Sequence, residues 1–600
     1  MRLFHFIAFW LLATLPVSAA LDVRNPRWGF GGKVALGTFN LLSVEVRNPG
    51  NDIANAVLTL TTEGGVSAAA YHQPVTLSPG QARWVQFNVY VGNYKPDFEL
   101  SWGDRQVLPI EDLRGEKNYA PPAVVVLADP DTVRASRLPV FPEEMFPATV
   151  SATDGLHAVL LDHQPRFRVA SQAEAFLDWV RLGGIVHVVP GPGGTMPTFD
   201  GKLAMLNVTG PAERVGSGWV VRHQVSVAEA SPKTLEAAGF PLPAEPANNP
   251  RPDPDQQSYR YNSDANSDSS FFETLAMVTR PKIAWWLIYL LTAVYVIVIG
   301  PVFFLLRKRD YRMLLLGFLG TVTLFAWIFT VIGRRGYGES QVCHSLAVAR
   351  VIGGGRYDVT HWSHAFATSG NTYHFSYPGA SQLYAAVGQS GEKVRGSINL
   401  GGEASFDADI PLFSFRNFLH RGVMTGDDVT ATVISIPKAD PSRQYDQWRD
   451  GFKMTLAGEV PGEVISAAVQ VGRYCLPAQI SGREVKIRSY SSGSGLDVLR
   501  PPGSDDYGRY NFRYYRYGGG PEAALNVLRA DGADLAQRAF GDPANSSRGL
   551  GRPPGKDTFR LYIYAAAPRA FRMAGTEFAA GRNFVLYVQD FAMSAGKSAP

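Results

Sequence analysis

At 600 residues the chain has room for several domains of roughly 100–200 residues each. Lys and Arg (57) nearly balance Asp and Glu (53), a net charge of +4, which excludes the strong basic excess of a nucleic-acid-binding protein. Two cysteines exclude a disulfide scaffold or a Cys-rich metal protein, and a hydrophobic share of 46% excludes a mostly disordered or mostly membrane-embedded chain.

Residues 1–20 read as a signal peptide: Arg2, an apolar core from Phe6 to Ala13, Pro16, then the small residues Ser18-Ala19-Ala20. Residues 21–116 alternate like strands. Leu42, Val44 and Val46 share one face, Asn48-Pro49-Gly50-Asn51 forms a turn, and Val85, Phe87, Val89 and Val91 repeat the period, with Gln86 and Asn88 opposite. Short punctuated strands of this kind predict an Ig-like β-sandwich.

Over residues 117–235 the pattern changes to α/β. Val124–Leu127 and Ala158–Leu161 are continuous apolar runs, as in strands covered on both faces. Ser171-Gln172-Ala173-Glu174 predicts a capping box, with Ala173, Phe176, Leu177 and Val180 as the apolar stripe of the helix that follows. Gly183-Gly184 stops that helix, and a further strand starts at Ile185. In a parallel sheet, ligands sit at the carboxyl ends of the strands. Asp129, Asp131, Asp162, His163 and the stretch Pro190–Gly194 fall there. Asp129, Asp162 and His163 are therefore the candidate acid/base residues; the alternative is that Asp and Gly simply favour loop starts and helix caps. The glycine stretch has no Lys-Ser/Thr ending, so it is no phosphate-binding loop.

Residues 236–280 are rich in Pro, Asn, Asp and Ser and predict a linker. Ile283–Leu306 and Met313–Ile332 are uncharged runs long enough to cross about 30 Å of hydrocarbon. The six residues Arg307–Arg312 between them carry four positive charges, which puts this turn in the cytoplasm. With an exported N-terminus, both large flanks then lie on the outer, periplasmic face. Trp285, Trp286 and Tyr289 suit the outer interface, and Gly300-Pro301 predicts a kink packed on the second span.

Residues 338–600 read as an exported β-rich, sandwich-like region, with VCHSLAVARV, NTYHFSYP, DVTATVISI, EVISAAVQV, FRLYIYAAA and NFVLYVQDF as strands. Cys343 and Cys475 are a candidate disulfide in an oxidising compartment, or else two buried thiols. His361 and His364, near His344 and His374, raise metal binding, but strand residues three apart point to opposite faces. The segment 505–520 interleaves aromatic and basic residues. Tyr507, Arg509, Tyr510, Arg513, Tyr514, Tyr515, Arg516 and Tyr517 are candidates for a glycan- or protein-contact loop, or a packed surface loop. Neither Gly-x-Ser-x-Gly nor His-Glu-x-x-His occurs.

The order of parts, the passage YLLTAVYVIVIGPVFFLLRKRDYR and the helix-Gly-Gly-strand passage DWVRLGGIVHVV resemble a family of bacterial membrane proteins with a class I glutamine amidotransferase-like domain. Active amidotransferases of that class use a Cys-His-Glu triad, and residues 117–235 contain no cysteine. The resemblance therefore implies a flavodoxin/amidotransferase-like domain without glutaminase chemistry, and no catalytic residue carries over. It further implies association with MoxR-type AAA+ ATPase and von Willebrand factor A (VWA) domain systems. The expectation is a non-enzymatic, inner-membrane envelope protein with two spans and no cofactor. It would act as a binding or scaffold subunit contacting the bilayer, a VWA-domain protein and, indirectly, an AAA+ ATPase. The alternative is an envelope hydrolase using Asp129, Asp162 and His163.

Overall fold

The computed structural model describes residues 21–110, 123–237, 271–336, 340–500, 528–540 and 558–592, apart from short stretches inside these ranges. The expected signal peptide, most of the expected linker, Asp131 and the segment 505–520 lie outside the described residues. The molecule is multidomain and sheet-rich, with four sheets and two long apolar helices among the described residues.

In the N-terminal region, β1 (Asp22–Trp28), β2 (Thr38–Arg47) and β5 (Ala82–Val91) make an antiparallel three-stranded sheet. The other strands here, β3 (Ala54–Glu63), β4 (Ala68–Leu77), β6 (Asp97–Trp102) and β7 (Gln106–Ile110), belong to a second sheet. The turn after β2 is held by a buried Asn48, whose Nδ2 donates to Asp52 O (2.7 Å) and Leu77 O (3.1 Å). Leu42, Val44, Val46, Val85, Phe87, Val89 and Val91 share the core between the two sheets. Gln86 and Asn88, on the opposite face, are buried as well. Gln86 Nε2 donates to Met145 O at 2.5 Å, because the next unit covers that face.

That unit contains β8 (Ala123–Ala128), β9 (Val140–Pro142), β10 (Leu156–Leu161), β11 (Ile185–Val188), β12 (Ala212–Val215) and β13 (Gly218–Arg222) in the order β12-β13-β11-β10-β8-β9. All neighbours are parallel except β12 and β13. The helix Ala170–Arg181 packs Phe176, Leu177 and Val180 into its core. Its start differs from the sequence expectation: Ser171 lies inside the helix and is exposed. The cap is made by Gln172, whose Oε1 accepts from Arg168 N (2.9 Å) and Val169 N (3.2 Å). Gly183 follows the helix at φ 113°, a conformation that side chains resist.

Residues 271–279, expected within the linker, form a helix instead. Phe271, Phe272 and Leu275 recur on one helical face and are buried, Phe271 edge-on to Trp362. The apolar helices Trp286–Leu306 and Tyr311–Val331 follow, 0% and 6% buried. Pro301 sits in a π-helical turn, Val298–Val302, which accommodates its missing N–H. Gly300 has no atom near its Cβ position. The expected packing of Gly300-Pro301 is therefore supplied by other side chains, Tyr295 on Phe325 (5.0 Å) and Phe303 on Phe318 (5.9 Å).

Beyond the helices come β14 (Val342–Gly353), β15 (Arg356–Ala367), β16 (Asn371–Ala380), β17 (Leu383–Ala386), β18 (Lys393–Ser397), β19 (Glu403–Ile410), β20 (Ser414–Thr425) and β21 (Ala431–Ser435). They are followed by β22 (Lys453–Leu456), β23 (Val464–Val471), β24 (Tyr474–Ser481), β25 (Glu484–Ile487), β26 (Thr558–Ala566) and β27 (Ala579–Ala592). Eleven of these form one sheet, β17-β20-β15-β14-β27-β26-β23-β24-β25-β22-β21. The other three, β16, β19 and β18, join the N-terminal strands in the order β16-β19-β18-β4-β3-β6-β7. The joint is a parallel pairing of β18 with β4, Lys393 opposite Ala68 through Ser397 opposite His72. Tyr384, Phe375, Phe406 and Phe418 accordingly fill the same core as Leu42 and Val85. Sequence on both sides of the apolar helices thus builds one sheet and one core.

Candidate functional site

The parallel sheet delivers four polar residues to one edge. Asp129 follows β8, Glu143 follows β9, and Asp162 and His163 follow β10. His163 lies between two carboxylates: Nδ1 is 2.7 Å from Asp162 Oδ1, and Nε2 is 3.1 Å from Glu143 Oε2. Both carboxylates are buried, and the ring is 19% exposed. Asp129 stands apart, 3.8 Å from the exposed Arg166. The sequence signal missed Glu143 because β9 is only three residues long and gives no strand pattern.

Both ring nitrogens of His163 are therefore within hydrogen-bond distance of a carboxylate oxygen. A general base needs one nitrogen facing substrate. With both ring nitrogens engaged, His163 ties the ends of β9 and β10 together. The neighbouring glycine loop is also closed on itself: Gly191 N donates to Thr195 O (3.0 Å) and Gly194 N to Gly191 O (2.9 Å). A second pair, unforeseen from sequence, joins His187 Nδ1 to His223 Nε2 at 2.8 Å across β11 and the end of β13. Burial, then the neighbouring His223, lowers the His187 pKa to about 3.

The other polar concentration lies where the parallel-sheet unit meets the eleven-stranded sheet. Arg421 on β20 donates from Nη2 to Asp358 Oδ2 (2.7 Å) and from Nε to Asp358 Oδ1 (3.2 Å), and it also bonds Asp154. Ser151 Oγ donates to Asp358 Oδ1 at 2.8 Å, and Arg350 Nη2 reaches Leu182 O at 2.7 Å. Arg356 grips Asp178 of the helix Ala170–Arg181. Burial works to raise the Asp358 pKa, but Arg421 and Arg350 outweigh it and hold the group below the usual carboxylate range. For Asp154 burial prevails and the pKa is raised. This is a buried ionic joint between residues from the two sides of the apolar helices.

The candidate disulfide is not formed. Cys343 lies on β14 and Cys475 on β24, both buried and not bonded to each other. Three strands intervene in the sheet, about 19 Å at 4.8 Å per strand, where a disulfide needs its Cα atoms within about 7 Å. The candidate pairing is thus corrected to two separate thiols, and burial pushes that of Cys343 up to about 12. His361 meets Phe571 O (2.9 Å), His364 meets Asn417 Oδ1 (2.7 Å), and His374 meets Asp407 at the surface (2.8 Å). No group of three metal-ligating side chains occurs among the described residues. The residues Tyr507 to Tyr517 lie outside the described residues.

No family model matches the chain, and no curated protein matches it. Among solved structures it is similar to a Paenibacillus sp. cycloisomaltooligosaccharide glucanotransferase complexed with cycloisomaltoheptaose, at 15% identity and a TM-score of 0.15. That match covers 28% of each chain, and so low a score carries no argument about fold or activity.

Proposed function

We propose that this chain is a membrane-anchored envelope protein that works without catalysis, as a binding or scaffold subunit of a membrane complex. The observation that carries the reading is the insertion of two exposed apolar helices into a unit that folds from both flanks. A sheet whose β4–β18 pairing joins the flanks cannot thread a bilayer, since open sheet edges are not tolerated in hydrocarbon. Both flanks therefore belong on one face, and Arg307–Arg312 is the turn on the other. The four positive charges of that turn favour the cytoplasm, which makes the membrane the inner one and the flanks periplasmic.

Within this reading the N-terminal sheets are an Ig-like sandwich and the parallel-sheet unit is an amidotransferase-like module that lacks its cysteine. The absence of any cysteine over residues 117–235 and the doubly engaged His163 both favour a binding role. The partner class is a VWA-domain protein, with an AAA+ ATPase reached through it. Affinity purification of tagged full-length protein from native membranes tests this. Stoichiometric recovery of a VWA-domain protein is expected; recovery of the chain alone, after crosslinking in gentle detergent, refutes it.

The hydrolase reading has one observation in its favour, the gathering of Glu143, Asp162 and His163, with Asp129 on the same carboxyl edge of the parallel strands. Asp129→Ala and His163→Gln variants that fold and keep their partners but lose the cellular phenotype would establish it.

A further inference from the structure

Leu412 and Phe413 lie in the turn between β19 and β20, and Phe415 is the second residue of β20; they are 61%, 48% and 42% exposed. Phe413 holds φ at 50°, in the left-handed region where Gly or Asn is the usual choice. Together with Leu412 and Phe415 it makes a cluster of large, exposed apolar side chains of the kind that marks a membrane or protein contact.

The sheet register says which surface. Phe415 is opposite Phe366 of β15, and Phe366 is opposite Val342, the first residue of β14. Phe415 is thus two strands, about 10 Å, from Val342. Val342 comes only six residues after Gly336, the last residue of the second long helix, a span of at most about 20 Å. The other insertion point lies at the same end. Thr279 Oγ1 is 3.4 Å from His364 Nε2, the His364 ring is 4.8 Å from that of Phe415, and Trp286 begins the first apolar helix seven residues on. The parallel-sheet unit is docked at the opposite end, where Arg350 bonds Leu182 O eight residues along β14, about 27 Å away.

We propose that Leu412, Phe413 and Phe415 insert into the headgroup–acyl boundary of the leaflet from which the two apolar helices emerge, a third contact between this chain and the bilayer. The proposal rests on the reading of those helices as membrane spans. Phe and Leu are the side chains that settle about 5–10 Å into that boundary. Arg416 stands next to them, its Nη1 on Phe415 O at 2.9 Å, where a guanidinium suits the phosphate level. The turn would add a third point that sets the tilt of the eleven-stranded sheet over the membrane.

The test uses the full chain reconstituted in phosphatidylcholine vesicles, with an environment-sensitive fluorophore on one introduced cysteine and a nitroxide placed high on the lipid acyl chain. Leu412→Cys and Phe415→Cys report on the turn, Val294→Cys on the first apolar helix, and Val169→Cys on the distal unit. All four side chains are exposed, while Cys343 and Cys475 are buried and stay unlabelled. The expected result is a blue-shifted emission at 412 and 415, with a nitroxide-dependent loss comparable to that at 294 and none at 169. Quenching at 294 alone overturns the proposal and leaves the spans standing. Quenching at none of the four overturns the span reading and the proposal together. A blue shift at 412 without nitroxide quenching also overturns it, in favour of contact with a second copy.

Discussion

Replacing Arg421 by Met tests the buried joint most directly. The guanidinium is 5% exposed and serves Asp358, whose side chain is 0% exposed, and Asp154, at 5%. Methionine fills much of the volume but leaves both carboxylates buried without their main counter-charge. Arg350 stays 3.7 Å from Asp358 and also acts on Asp154, so the loss of counter-charge is partial for both. Breaking a buried pair by removing one partner costs about 3–5 kcal/mol, far more than the pair's net contribution, because desolvation is then uncompensated. The triple change Arg421→Met, Asp154→Asn, Asp358→Asn removes the stranded charges and should recover all but about 1–2 kcal/mol. Hydrogen exchange of the β8 and β10 amides in the full chain is the assay, since it reports opening of the parallel-sheet unit without assuming one global transition. A single variant whose exchange changes by less than about 1 kcal/mol, or a triple variant no better than the single, refutes the reasoning.

Three further outcomes follow from the same structure. Burial lowers the pKa of His344, His361 and His364 to about 4 and of His187 to about 3, against an ordinary 6.5. The unfolded chain therefore binds more protons as pH falls through 6.5, so stability is complete above that value and declines down to about 4. Near pH 5.5 each of the four histidines subtracts about 1.4 kcal/mol, about 5.6 kcal/mol in all. A melting temperature flat between about pH 7 and pH 5 would contradict the burial of these rings. Gly218→Ala places a Cβ 2.0 Å from Val180 O and 2.3 Å from Gly184 O, backbone atoms on both sides. It should cost about 3 kcal/mol by chemical denaturation, whereas Gly354→Ala, at φ 62° with open space around it, should cost about 1–2 kcal/mol. A chain ending at residue 282 loses β18 from the edge of β4, and Phe375, Phe406 and Phe418 from the shared core. At about 1.5–3 kcal/mol per buried aromatic side chain the remainder is not self-sufficient. Size-exclusion chromatography should find it aggregated, and a cooperatively melting monomer would be the refuting result.

Local features were readable wherever periodicity and burial coincide. Val125–Leu127 and Val159–Leu161 are buried throughout, as continuous apolar runs require of strands covered on both faces. The apolar helices declared themselves by length and lack of charge. What escaped was polar or long-range. Gln86 and Asn88 have the spacing of a solvent face, and only the unit packed over them makes that face interior. Phe271, Phe272 and Leu275 stand at the end of a Pro- and Asn-rich stretch whose composition masks a short amphipathic helix. Asp154, Asp358 and Arg421 are separated by up to 267 positions and follow no local motif. Charge complementarity over such distances leaves no trace in one sequence.

The pairing of β4 with β18 also bears on what the two apolar helices do. Two helices inserted between modules that fold separately would be a plain tether. Here the segment they interrupt is a single core: the Tyr71 ring stacks on Tyr384 at 5.7 Å, and its hydroxyl donates to Tyr384 O at 3.3 Å, 313 positions away in sequence. Closing a loop of that length costs entropy that grows only slowly with length, so the long separation itself is tolerated. Its consequence is mechanical. In the proposed arrangement, a shift of one apolar helix against the other acts at Thr279 and Val342, two points held to the same end of one sheet. That end continues through β14 and β15 to the ionic joint at Arg350, Asp358 and Arg421. Because removing one partner of a buried ion pair is costly, the joint resists separation of the parallel-sheet unit from the sheet below it. A partner bound to that unit would thereby be held at a fixed orientation to the membrane.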